Sequence, residues 1–140
     1  MARLGLSTLV IAIGLAGLGS ARAQDAPPVR PGDPVVGEDV FVKCSGCHQV
    51  GVGAQNSIGP ELNGIAGRTS GTVPGYDYSS ALKAANIRWT HDELAAFEID
   101  ATAVVPKTKM SFAGLKSRQD VEDLTSYLSQ FDDVGNVKAQ

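Results

Sequence analysis

Cys44-Ser45-Gly46-Cys47-His48 places two thiols and an imidazole within five consecutive residues. Covalent haem attachment explains that spacing better than any other chemistry. The thiols add across the two vinyl groups of a haem, and the two intervening residues set the separation that lets both reach one porphyrin edge. His48 then lies directly after the second anchor, where its imidazole can bind the iron as the proximal axial ligand. The same dithiol could belong to a redox disulfide or to half of a zinc site. A thioredoxin-like site opens a helix after a strand in an alternating pattern, which is missing here. A structural zinc site needs four ligands, while the whole chain has 2 Cys and 2 His.

The beginning of the chain reads as an address. Arg3 supplies a positive region, Leu9 to Leu18 is an apolar run, and Ala21-Arg22-Ala23 is a small-x-small cleavage site. Residues 1–23 are expected to be a signal peptide cleaved after Ala23, which directs the protein to the periplasm. A retained anchor is the alternative, but the uncharged stretch is short and Gly-rich for a segment that must cross a bilayer. Of the 12 basic residues, Arg3 and Arg22 precede the cleavage site, which leaves 10 against 15 acidic residues. An acidic chain of this kind is not expected to bind nucleic acid. Its length suits one domain, whose small core a bound haem would enlarge.

Residues 24–33, with Pro27, Pro28 and Pro31, read as a flexible lead-in to a domain over 34–134, and 135–140 as a C-terminal tail. Asp33 can cap a helix that has Pro34 at its first position and runs into the cysteine motif. Gln49 to Gly75 carries Gly and Pro at short intervals and reads as loop, a segment that needs something to pack on. Ser79 to Asn86 is a short helix. Thr90 with Glu93 opens another helix through about Ala101. Pro106 begins a loop to about Lys116. Ser117 with Asp120 then starts a helix whose Val121, Leu124, Tyr127, Leu128 and Phe131 recur at helical spacing.

A haem held by one His needs a second axial ligand to act as a pure electron carrier, because an open position invites small molecules to bind. With Met1 removed, Met110 is the remaining thioether, on a loop stiffened by Pro106. A core methionine is the alternative reading. His91 is the competing ligand, but it sits in a first helical turn beside Asp92 and Glu93 and reads as a surface residue.

The chain resembles a class I c-type cytochrome, of the small soluble bacterial kind similar to mitochondrial cytochrome c. The resemblance runs from Gly37 to Phe131. It rests on Gly37 and Phe41, the cysteine motif, Gly59-Pro60, Gly67-Arg68 with Gly71, Tyr78, Trp89, Pro106-Lys107-Thr108-Lys109-Met110, and Leu124 with Tyr127. It implies an all-α, single-domain fold of about four short helices wrapped around one haem c attached through Cys44 and Cys47. The first and last helices would cross, with Gly37 and Phe41 against Leu124 and Tyr127. The iron would lie between His48 and Met110. The Pro60 carbonyl would accept the His48 N–H, and Arg68, Tyr78, Trp89 and Thr108 would surround the haem propionates.

The sequence departs from the family pattern at several positions. Lys107 replaces a Gly, which costs strain if the backbone there is left-handed. Phe97 replaces a Tyr near the methionine sulfur. Glu98 stands where an apolar residue is expected, so either the helix is rotated or the carboxylate is paired. Asp100-Ala101-Thr102-Ala103 replaces a Pro followed by lysines. Lys43, Lys107, Lys109 and Lys116 remain, with Val50, Val52, Phe112 and Ala113 between them, as a docking face near the haem edge.

The expected function is one-electron transfer without conversion of a substrate, from a periplasmic dehydrogenase or respiratory complex to an acceptor such as a terminal oxidase. A monomer without stable membrane insertion suits that role. The alternative is a haem enzyme or gas-binding sensor in which Met110 is displaced.

Overall fold

The computed structural model describes residues 28–139. The expected signal peptide lies outside the described residues. Five helices order the chain: α1 (Pro34–Phe41), α2 (Ser80–Ala85), α3 (His91–Ile99), α4 (Ala101–Val104) and α5 (Arg118–Ser129). Among the described residues β-type pairing is confined to two isolated bridges, Thr69 with Arg88 and Phe131 with Val137. The fold is all-α.

Side-chain caps set the helix starts. The Asp33 carboxylate accepts from the Val35 N–H at 2.9 Å, with Pro34 at the position where a missing N–H loses nothing. Ser79, Thr90 and Ser117 do the same for Leu82, Glu93 and Asp120. α2 closes on Asn86, whose φ of 48° is the left-handed conformation that stops a helix.

Two elements differ from their sequence expectation. α1 ends at Phe41 instead of running into the cysteine motif, and successive turns carry the chain onward, with the Cys44 N–H on the Phe41 carbonyl and the His48 N–H on the Cys44 carbonyl. The helix expected through Ala101 breaks at Asp100, which adopts φ −154° and ψ 92°. Its carboxylate accepts from the Thr102 and Ala103 N–H groups at 3.0 Å, so a cap inside the helical window starts α4 instead. The count is therefore five helices where about four were expected.

α1 and α5 cross at Gly37. A Cβ there would run into the Asp123 carbonyl oxygen and lie 2.7 Å from Tyr127 Cβ, so the contact needs a residue without a side chain. Next to it the Phe41 and Tyr127 rings pack with centroids 5.5 Å apart. Val40, Phe41, Val121, Leu124, Tyr127, Leu128 and Phe131 belong to one buried cluster that also takes in Ile65, Trp89, Leu94 and Leu115. The chain before α1 is tied to the same helix. The Arg30 N–H bonds Gln119 Oε1, the Gly32 carbonyl accepts from Ser126, and the Asp33 N–H bonds Asp123 Oδ1 at 2.7 Å. After α5 the chain folds back, with the Lys138 N–H on the Gln130 carbonyl.

Candidate haem site

The helices and the long glycine-rich loop enclose a cavity of about 300 Å³. Cys44, Cys47, His48, Pro60, Arg68, Tyr78, Trp89, Thr108 and Met110 all line it. Sequence reasoning also missed part of the wall: Tyr76, Leu62, Ile65, Leu82 and Leu94 complete it. Their positions lie in loops without periodicity or on short helices, so only the haem motif itself carried a local signal. His91 lies elsewhere, half-exposed, with Nε2 3.1 Å from Glu122 Oε2.

His48 Nδ1 is 2.8 Å from the Pro60 carbonyl oxygen. A carbonyl only accepts, so Nδ1 carries the hydrogen and Nε2 keeps the lone pair that a metal needs. Burial lowers the His48 pKa, against the opposing pull of the Pro60 carbonyl, and so favours the neutral, ligating form. Gly59 lies against the imidazole, where a Cβ would fall 2.7 Å from Nδ1 and displace the ring.

Cys44 is unlike the reactive thiol of a redox pair. Cys47 is exposed and Cys44 half-buried. Burial, with a smaller push from Glu98, raises the Cys44 pKa to about 11. Reactive dithiols depress that value. Among the described residues no group of three or more His, Cys, Asp or Glu side chains could hold a metal ion, which disfavours the zinc alternative.

On the wall near Tyr78, Arg68 commits three N–H groups: to Glu61 Oε1 at 2.9 Å, the Asn63 carbonyl at 2.7 Å and the Glu61 carbonyl at 2.9 Å. Glu61 is a partner that the sequence reading did not foresee. Tyr78 is buried, stands edge-on to Tyr76 at 4.8 Å, and has its phenol pKa raised by desolvation. Trp89 is buried against Phe97, ring centroids 4.9 Å apart. On the methionine loop, Thr108 Oγ1 accepts the Met110 N–H at 3.3 Å. Lys109 Nζ bonds Asp77 Oδ2 at 2.7 Å and so ties the methionine loop to the Tyr76–Tyr78 segment.

Lys107 has φ 69°, a left-handed conformation in a residue with a Cβ. Relief of that strain outweighs the extra chain entropy of glycine, so Lys107→Gly should stabilise the protein by about 0.5–1 kcal/mol. A rise of a few degrees in the unfolding midpoint checks this. Glu98 is 7% exposed and faces inward, so α3 is not rotated to release it. Its partner is a hydroxyl, Thr125 Oγ1 donating to Oε2 at 3.1 Å.

The donor set fits a haem: two thiols, a neutral imidazole and a thioether around one largely apolar cavity. The family profile for cytochrome c matches residues 35–132. The chain belongs to the cytochrome c family. Membership implies covalently bound haem c, and Cys44 and Cys47 stand in the attachment motif. Cytochromes c are electron-transfer proteins. Cytochrome c-550 of Nitrobacter winogradskyi is 49% identical over 109 residues, spanning 78% of this chain and 100% of that protein. Cytochrome c2 of Blastochloris viridis is 44% identical over 116 residues, 83% of this chain and 91% of its own. The solved cytochrome c2 from Rhodospirillum centenum superposes with a TM-score of 0.69 at 38% identity, covering 72% of this chain and 99% of that one.

Proposed function

We propose that this cytochrome c is a periplasmic one-electron carrier, with iron held by His48 and Met110 and haem c attached through Cys44 and Cys47. The observation that carries the reading is the convergence of one oriented imidazole and one thioether on a single cavity. Haem c supplies a one-electron couple. The Pro60 carbonyl holds the His48 ring in place, the Asp77–Lys109 and Thr108–Met110 contacts hold the methionine loop, and the apolar wall excludes water. Two protein ligands that stay in place leave little to reorganise at each transfer. Arg68, Tyr78, Trp89 and Thr108 would serve the propionates, with Glu61 anchoring the Arg68 guanidinium. Residues 1–23 would export the chain and 34–134 would form the haem domain of a monomer. Among the described residues no helix is long and apolar enough to cross a membrane.

The donor in this reading is a periplasmic dehydrogenase or respiratory complex and the acceptor a terminal oxidase or similar complex. Docking would use the lysines around the attachment and methionine loops. Two of them are already engaged, Lys43 with Asp120 at 2.8 Å and Lys109 with Asp77 at 2.7 Å. Lys116 donates to the Ala113 carbonyl. The exposed Val52 and Ile58 add apolar surface close by. Complementary charge sets mainly the encounter rate. In rapid-mixing experiments the rate of reduction by such a donor should fall as ionic strength rises, followed by reoxidation with the acceptor. A flat salt dependence removes the lysines from docking, and a haem that exchanges no electrons with either class of partner overturns the carrier reading.

A further inference from the structure

Glu98 has no part in the chemistry above, yet it is a charged residue type on the wall of the haem cavity. Its Oε2 accepts one hydrogen bond, from Thr125, a residue with 0% exposure. Its Oε1 is buried and has no bonding partner. The groups facing it do not neutralise it. From α5 comes Glu122, another carboxylate, itself in contact with His91. From the attachment motif comes Cys44, which no longer titrates once it is a thioether, and the adjacent Lys43 is engaged by Asp120. The loop after Met110 offers the Leu115 N–H, but to the Glu98 carbonyl. Among the described residues no Lys, Arg or His forms an ion pair with Glu98.

An unpaired carboxylate in such a place is costly, and protonation is the inexpensive way to remove its charge. Burial pushes the Glu98 pKa up to about 8, with Glu122 adding to the rise and Thr125 opposing it. The carboxyl is therefore near its switching point under ordinary conditions, beside a cofactor whose net charge changes by one at every turnover.

We propose that Glu98 is a positioning residue for the cavity's charge, taking up a proton when the haem is reduced and releasing it when the haem is oxidised. The inference rests on the carrier reading. The electron comes from the donor protein and leaves to the acceptor. The proton comes from water and returns to it, and the one bond that forms and breaks is the O–H bond of the Glu98 carboxyl. An added electron lowers the positive charge in the cavity, which favours the protonated carboxyl. At an effective dielectric constant of ~20, a unit charge change in the same cavity alters a neighbouring group's proton affinity by on the order of tenfold. Reduction thus raises the Glu98 pKa, and the reduction potential falls with rising pH across the interval between the oxidised-state and reduced-state values.

The test is the reduction potential of the holoprotein as a function of pH, for wild type, Glu98→Gln and Thr125→Val, with the oxidised spectrum of each recorded alongside. Wild type should show a sloping interval about one pH unit wide near pH 8. Glu98→Gln should lose that interval. Thr125→Val removes the hydroxyl that favours the carboxylate, so it should move the interval to higher pH. This second variant decides the matter if Glu98→Gln does not hold haem. Propionates titrate in all three proteins, so a slope that survives unchanged in both variants overturns the proposal. A flat wild-type potential in a protein with normal sulfur-to-iron absorption also overturns it and leaves the carrier reading intact. Missing sulfur-to-iron absorption in wild type defeats the carrier reading itself, and this inference with it.

Discussion

A Gly37→Val protein is expected to lose about 4 kcal/mol or more of folding stability, beyond the ~1–3 kcal/mol usual for an overpacked site. The obstacle to the new side chain is backbone. A Cβ at position 37 meets the Asp123 carbonyl, with Tyr127 Cβ at 2.7 Å, and neither can swing aside as the tip of a long side chain would. α1 and α5 must separate. Separation loosens Val40 and Phe41 from Leu124 and Tyr127 and disturbs Asp123, whose carboxylate holds the Asp33 N–H and Gln119 Nε2. Set against a typical total of ~5–15 kcal/mol, the loss removes much of the stability of the fold. Denaturant unfolding followed by circular dichroism measures it. A midpoint equal to wild type would mean that the helices do not cross at Gly37.

The second large effect is expected from Met110→Ala. Met110 lies on a loop whose entry is fixed by Pro106 and the buried Val105, whose strain sits at Lys107, and whose position is held through Lys109. Among the described residues, removing the thioether leaves His48 as the only imidazole or thioether on the cavity wall, since His91 lies outside the cavity. The iron should then present an open position. The reduced variant should bind carbon monoxide at one per haem, whereas wild type should not, and the reduction potential should fall, because His/Met ligation raises it. Spectra of the reduced variant with and without the gas check the first effect. A variant that still refuses carbon monoxide would place the distal ligand elsewhere.

How much could be read beforehand depended on the range of the interactions. The cysteine motif, the Asp33–Pro34 cap, the Thr90 and Ser117 starts and the Val121–Phe131 stripe are local patterns, and each appears in the structure. The Asp100 cap is local too, but it sits inside a helical window, where its short side chain caps α4 and splits the helix expected from the pattern. Contacts across the chain had no local signature. Thr125 reaches Glu98 from another helix, Asp120 reaches Lys43, and Glu61 takes the Arg68 guanidinium inside the loop segment. The proline-rich lead-in reads as free chain by composition, while Arg30 to Asp33 is held by side chains of α5 about ninety residues away. At the site, all nine sequence-selected residues border one cavity, and the apolar wall residues that complete it follow from the fold.

One absorbance spectrum tests the ligation of the iron most directly, that of the oxidised wild-type holoprotein in the far red. Ligation of the iron by Met110 opposite His48 predicts a weak sulfur-to-iron band that disappears in Met110→Ala. A wild-type spectrum without that band, or a band that survives in the variant, would contradict it.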